Sequence, residues 1–150
     1  MLRLAKDCVS KMVTENSFIT GVILFGSAAR GEEGERSDLD LLILWEELGL
    51  DTSERYIYVY KMVSRYFPQS LGLTVIEMSY SSFLSLKKLT PLLLNVIYDG
   101  VVLYDKHGRL EEFLSKIREE IKSKGLKRKK IGKYYYWELP EAGSKVELEV

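Results

Sequence analysis

From residue 2 to 13 apolar side chains recur every third or fourth position (Leu2, Leu4, Cys8, Val9, Met12, Val13), the period of a helix with one buried face. Residues 18–25, FITGVILF, are continuously apolar and rich in β-branching, as in a strand covered on both faces. Gly26 interrupts that run, Ser27 is placed to cap a short helical turn through Arg30, and GEEGERS then reads as a polar loop. Residues 39–45 predict a second strand. Thr52 or Ser53 caps a helix running to about Tyr66 and closed by Pro68, and residues 73–78 predict a third strand. Residues 79–88 and 91–97 predict two short helices, the second opening on a proline. Asp99 and Gly100 form a turn, and residues 101–104 form a short strand. Residues 109–122 form a helix with Leu110, Phe113, Leu114, Ile117 and Ile121 on one face. The end of the chain is different in kind: a dense basic run, then Tyr134, Tyr135, Tyr136 and Trp137, then acidic residues. Residues 134–139 and 145–150 are predicted to pair as a hairpin across PEAG.

Composition adds limits. With 150 residues, 46% hydrophobic and 29% charged, the chain has the length and make-up of one globular domain, which excludes a disordered or low-complexity role. We divide it into residues 1–122 and a basic-aromatic extension, 123–150, packed on the same domain. Lys plus Arg and Asp plus Glu both number 22, so no global field draws it to nucleic acid or a membrane surface. One cysteine, Cys8, excludes an internal disulfide and reads as a core residue. The first residues lack the apolar core of a secretory signal, and no window reaches the roughly 18 apolar residues of a membrane span. The expected location is cytoplasmic.

The chemistry concentrates in FGSAARGEEGERSDLDLLIL, residues 25–44. Asp is poorly tolerated in strands, yet Asp38 and Asp40 stand at the mouth of one, and alternation sends both to the same side. Paired carboxylates destabilise each other unless a cation lies between them. Mg²⁺ suits the pair, because it is held by one or two carboxylates and completes its shell with water and substrate phosphates. Gly26 permits close approach and the Ser27 hydroxyl can donate to a phosphate oxygen, so a triphosphate can land there. Arg30 and Arg36 flank the loop, where neutralising phosphate and pairing with the loop glutamates compete.

Gly-Ser, ten intervening residues and Asp-x-Asp resembles the signature of minimal nucleotidyltransferases of the DNA polymerase beta-like superfamily, and the flanking ARG, SDLDLLIL and DGVVLYD look like that family too. The resemblance spans about residues 18–122. It implies an α/β (α+β) nucleotidyltransferase fold, a small mixed sheet flanked by helices, to which the residue pattern adds the C-terminal helix and β-hairpin. It further implies Mg²⁺ and transfer of a nucleoside monophosphate, commonly AMP from ATP. Ser27 would contact phosphate, with Gly26 and Arg30 beside it, and Asp38 and Asp40 would be metal ligands. Active relatives resemble each other in a third carboxylate on a neighbouring strand. Aligning LTVIEMS by its end on SYSSF puts that acid near Thr74; Glu77, the strand's only acid, lies on the opposite face and serves only through a bulge or another register.

Similar proteins are often paired with a small helical HEPN toxin to which the transferase adds AMP, which would make this chain an antitoxin with a macromolecular acceptor. Two rivals remain: a catalytically weak nucleotide- or partner-binding module of the same fold, and an RNA-binding protein working through the basic-aromatic tail, where a solvated helix end running into a partly buried strand is the plainer reading. His107, in the turn DKHGR, reads as a solvated turn histidine.

Overall fold

The structure is a computed structural model, and it describes residues 1–34 and 38–138 together with the backbone of Val146–Glu147. The helices and strands follow in the order α1 (Leu2–Glu15), β1 (Ile19–Phe25), α2 (Gly26–Arg30), β2 (Leu39–Trp45), α3 (Thr52–Ser64), β3 (Leu73–Ser79) and α4 (Tyr80–Leu84). Then come β4 (Lys88–Leu89), α5 (Pro91–Asp99), β5 (Val101–Asp105), α6 (Leu110–Ser123), β6 (Lys127–Ile131), β7 (Tyr134–Glu138) and β8 (Val146–Glu147). The main sheet is mixed, ordered β3-β2-β1-β5, with β2 parallel to β3 and the other two pairings antiparallel.

Its two faces are both covered. On one side Val22, Leu24, Leu39, Leu41, Ile43 and Val75 pack under α1 and α3. On the other, Ile23, Phe25, Leu42 and Leu44 meet α4, α5 and α6. This explains why β1 is buried at all seven positions. It also sends Leu42 and Leu44, not only Leu39, Leu41 and Ile43, into core.

Helix starts differ in detail from the sequence reading. The side chain of Asp51, one residue ahead of the expected caps, accepts from the Glu54 N–H at 3.1 Å and caps α3. In α2 the cap position falls on Phe25, so Ser27 lies inside the helix. The predicted helix over residues 79–88 stops at Leu84, after which Lys88–Leu89 pairs with Val146–Glu147.

The C-terminal hairpin is also corrected. Tyr134–Glu138 pairs with the basic strand Lys127–Ile131 before it, around a tight turn at Gly132, whose φ of +60° favours glycine. Residues 139–145, with PEAG, lie outside the described residues, as does Arg36. Among the described residues no helix is long and apolar enough to cross a membrane.

Candidate active site

The site forms at the end of the sheet where β1 finishes and β2 and β3 begin. Across the antiparallel ladder Asp40 lies opposite Phe25, and across the parallel one opposite Thr74. Asp38 and Asp40 share the face of Leu42 and Leu44, one pleat beyond the core, with Asp38 exposed and Asp40 half-buried.

Each carboxylate lies against a glycine. A Cβ on Gly26 would stand 2.0 Å from Oδ2 of Asp40, and one on Gly72 would stand 2.0 Å from Oδ1 of Asp38. Gly26 has in addition a φ of +74°, which side chains of L residues rarely adopt. Gly72 carried no motif signal, although a glycine at a strand's entry is a mark of close approach. Burial pushes the Asp40 carboxyl above its ordinary pKa; the Thr74 hydroxyl opposes this, the charge of Asp38 adds to it, and Arg30 opposes it. The Thr74 hydroxyl also donates to Oδ2 of Asp38 at 3.4 Å.

Glu77 is a correction. The register sets it opposite Ile43, without a bulge in the β2–β3 pairing, on the α1–α3 face and away from both aspartates. There its carboxylate pairs with Arg55 of α3 and accepts from Nε1 of Trp45 at 3.1 Å. Thr74 occupies the place where the family resemblance expects an acid.

Arg30 reaches back over α2. Its guanidinium pairs with Asp99 at 3.0 Å and Glu32 at 3.1 Å, and lies 4.5 Å from the Tyr135 ring centre. The choice between loop glutamate and phosphate is thus filled by carboxylates in this structure, while its charge still bears on Asp40. His107 is exposed and pairs with Glu46 at the other end of β2, where it takes no part in the site.

The aspartate pair fits a hard divalent cation. Two carboxylates on one face, each lying in the space a glycine leaves open and one of them with its pKa raised, lose their mutual repulsion when such an ion is held. Among the described residues no group of three or more His, Cys, Asp and Glu side chains gathers at a metal-binding distance.

A mixed sheet that carries Gly-Ser on the turn after one strand and Asp-x-Asp on the next is the architecture of a nucleotidyltransferase. The chain belongs to the polymerase beta nucleotidyltransferase family, whose profile (Polymerase beta, Nucleotidyltransferase) matches residues 8–109. A relative from Methanocaldococcus jannaschii, named as a protein adenylyltransferase, is 29% identical over 105 residues, covering 69% of this chain and 71% of its own. A solved toxin–antitoxin structure with AMP-PNP shares the fold with a TM-score of 0.52 at 20% identity, over 79% of this chain and 87% of that one. The tri-AMPylated HEPN toxin of Shewanella oneidensis in complex with its MNT antitoxin aligns at 19% identity over 82% of this chain and 88% of that one, with a TM-score of 0.49.

Proposed function

We propose that this nucleotidyltransferase moves AMP from Mg-ATP to a hydroxyl of a protein acceptor, and that the acceptor is a HEPN-type toxin for which the chain serves as antitoxin. The observation that carries the reading is the pair Asp38 and Asp40 on one strand face, each seated on a glycine, beside Ser27. The name of the archaeal relative supports a protein acceptor, and the likeness to a toxin–antitoxin with AMP-PNP is consistent with both the nucleotide and the partner.

In this reading Asp38 and Asp40 hold the ion, Gly26 lets the phosphates approach Asp40, and Ser27 donates its hydroxyl to a phosphate oxygen. When bound, magnesium screens the phosphate charge and polarises the phosphorus under attack. The acceptor's oxygen bonds to the α-phosphorus, the bond to the β-phosphate's bridging oxygen breaks, and pyrophosphate leaves. The hydroxyl proton passes to water on the open side of Asp38. A hydroxyl is a poor nucleophile until a base takes its proton, so Thr74 makes this step slow.

The test incubates labelled ATP, magnesium and a purified HEPN-family toxin with wild type, Asp38→Asn/Asp40→Asn and Thr74→Asp proteins. Label on the toxin with wild type, none with the aspartate variant, and a rate raised about tenfold or more by Thr74→Asp are the expected results. Label that persists in the aspartate variant would overturn the assignment. Thr74 also favours a second reading, a nucleotide-binding partner module. Mg-ATP bound without label transfer by wild type, and transfer gained in Thr74→Asp, would support it.

A further inference from the structure

The β6–β7 hairpin lies beyond the stretch that the family profile matches, and its side chains are tied to Arg30 of α2 and to Asn95 and Asp99 of α5. Strand alternation divides its side chains into two sets. Lys127, Lys129 and Ile131 face outward, where Lys129 pairs with Glu138 at 2.6 Å. Arg128 and Lys130 face inward with their ladder partners Trp137 and Tyr135. The inward set is anchored: Arg128 reaches Asp99 at 2.6 Å, Trp137 Nε1 donates to Asn95 at 2.9 Å, and the Tyr135 hydroxyl donates to Glu32 at 2.7 Å. The Arg128 side chain is only 9% exposed.

These anchors hold the hairpin tip over the site. Lys130, Lys133 and Tyr134 from the hairpin close a cleft of about 380 Å³ whose other wall is Ser27, Arg30 and Glu32. Ser27 adjoins Gly26, the residue against which Asp40 rests. Around this cleft the described cations are Arg30, Arg128, Lys130 and Lys133, against the carboxylates of Glu32 and Asp99. The two arginines are matched by those carboxylates. Among the described residues Lys130 and Lys133 form no salt bridge; Lys130 lies 5.4 Å from the Tyr135 ring centre and acts on Glu32 only at longer range, Lys133 lies 5.6 Å from the Tyr134 ring centre, and both line the cleft beside the serine. The cleft therefore offers ammonium donors and a hydroxyl to a polyanion whose other end can meet the ion held by Asp38 and Asp40.

From this arrangement we infer that the hairpin is a phosphate clamp: Lys130 and Lys133 hold the β- and γ-phosphates of the nucleoside triphosphate against Ser27. The inference rests on the nucleotide reading of the aspartate site and adds to it the residues that tell a triphosphate from a monophosphate. Lys130 and Lys133 are binding residues for the leaving pyrophosphate, not for the acceptor.

The test measures binding of inorganic tripolyphosphate to the full chain without divalent metal, and binding of Mg-ATP, by calorimetry. Four proteins are compared: wild type, Lys130→Gln/Lys133→Gln, Lys127→Gln and Asp38→Asn/Asp40→Asn. The lysine pair variant is expected to weaken both ligands by about tenfold or more. Lys127→Gln, which removes one positive charge from the outward face, should leave both affinities within about twofold. The aspartate variant should lose Mg-ATP yet keep tripolyphosphate, which separates failure of the metal site from failure of the clamp. Unchanged tripolyphosphate binding in the lysine pair variant, an equal loss in Lys127→Gln, or no binding by wild type would overturn the clamp. So would an RNA oligonucleotide that binds wild type more tightly than tripolyphosphate and displaces it, since the cleft would then belong to nucleic acid. Circular dichroism and melting of each variant confirm that the hairpin variants fold.

Discussion

Gly26 is where one added carbon would meet both a carboxylate of the site, that of Asp40, and a left-handed backbone. Gly31 provides the control, since its φ is +72° but nothing lies within 4 Å of an added Cβ. Both Gly26→Ala and Gly31→Ala are expected to lose about 1–2 kcal/mol of stability from the strained backbone. Only Gly26→Ala should also lose Mg-ATP binding, because Asp40 must move. Melting curves and calorimetry on the two variants check this, and equal nucleotide affinity in both would contradict it. At this scale the gathering of Asp38, Asp40, Gly26 and Ser27 at one strand end was legible because period-two alternation and a fixed motif spacing are local facts. Glu77 could not be placed so simply. Its spacing from Thr74 already put it on the face opposite the aspartates, and the register against β2 and the pairing with Arg55 remove the bulge that would have turned it in. Gly72 escaped because its partner, Asp38, is remote in sequence and the contact arises from the β2–β3 pairing.

The tie between β3 and α3 explains what Glu77 does instead. Its carboxylate is 10% exposed and is shared by Arg55 and Trp45, whose ring also lies 4.7 Å from the Arg55 guanidinium. Neutralising one member leaves a partly buried cation short of its partner. Glu77→Gln is therefore expected to lower stability by about 1–3 kcal/mol, while Mg-ATP affinity and transfer to the acceptor stay at the wild-type level. A melt with parallel binding and transfer assays reads this, and a lost transfer rate in a folded variant would return Glu77 to the chemistry. Most elements were foreseeable from periodicity, with β2 recovered at both ends. The hairpin was not. Its first strand is written in lysine and arginine, which hide the apolar alternation, and PEAG drew the turn to the wrong place. The usable signal was Gly132 between two runs of five residues, with Trp137 and Tyr135 on the anchoring face.

Across the molecule, function is placed by topology more than by composition. The parallel pairing of β2 with β3, beside antiparallel β1, brings one strand end and two strand starts to the same edge. Core covers both faces of the sheet behind that edge. A formal charge of zero conceals a local separation, with two carboxylates on the sheet and two lysines of the hairpin lining the cleft beside Ser27. No count of charged residues could reveal it, because the basic strand and the acidic pair are distant in the chain. The proposed transfer requires Asp38 and Asp40 to hold a metal–nucleotide together. Titration calorimetry of Mg-ATP into wild type and Asp38→Asn/Asp40→Asn tests it most directly. Saturable binding by wild type that the double variant loses by at least about tenfold is the expected result. Equal affinity in the two proteins would mean that the nucleotide does not bind through these aspartates.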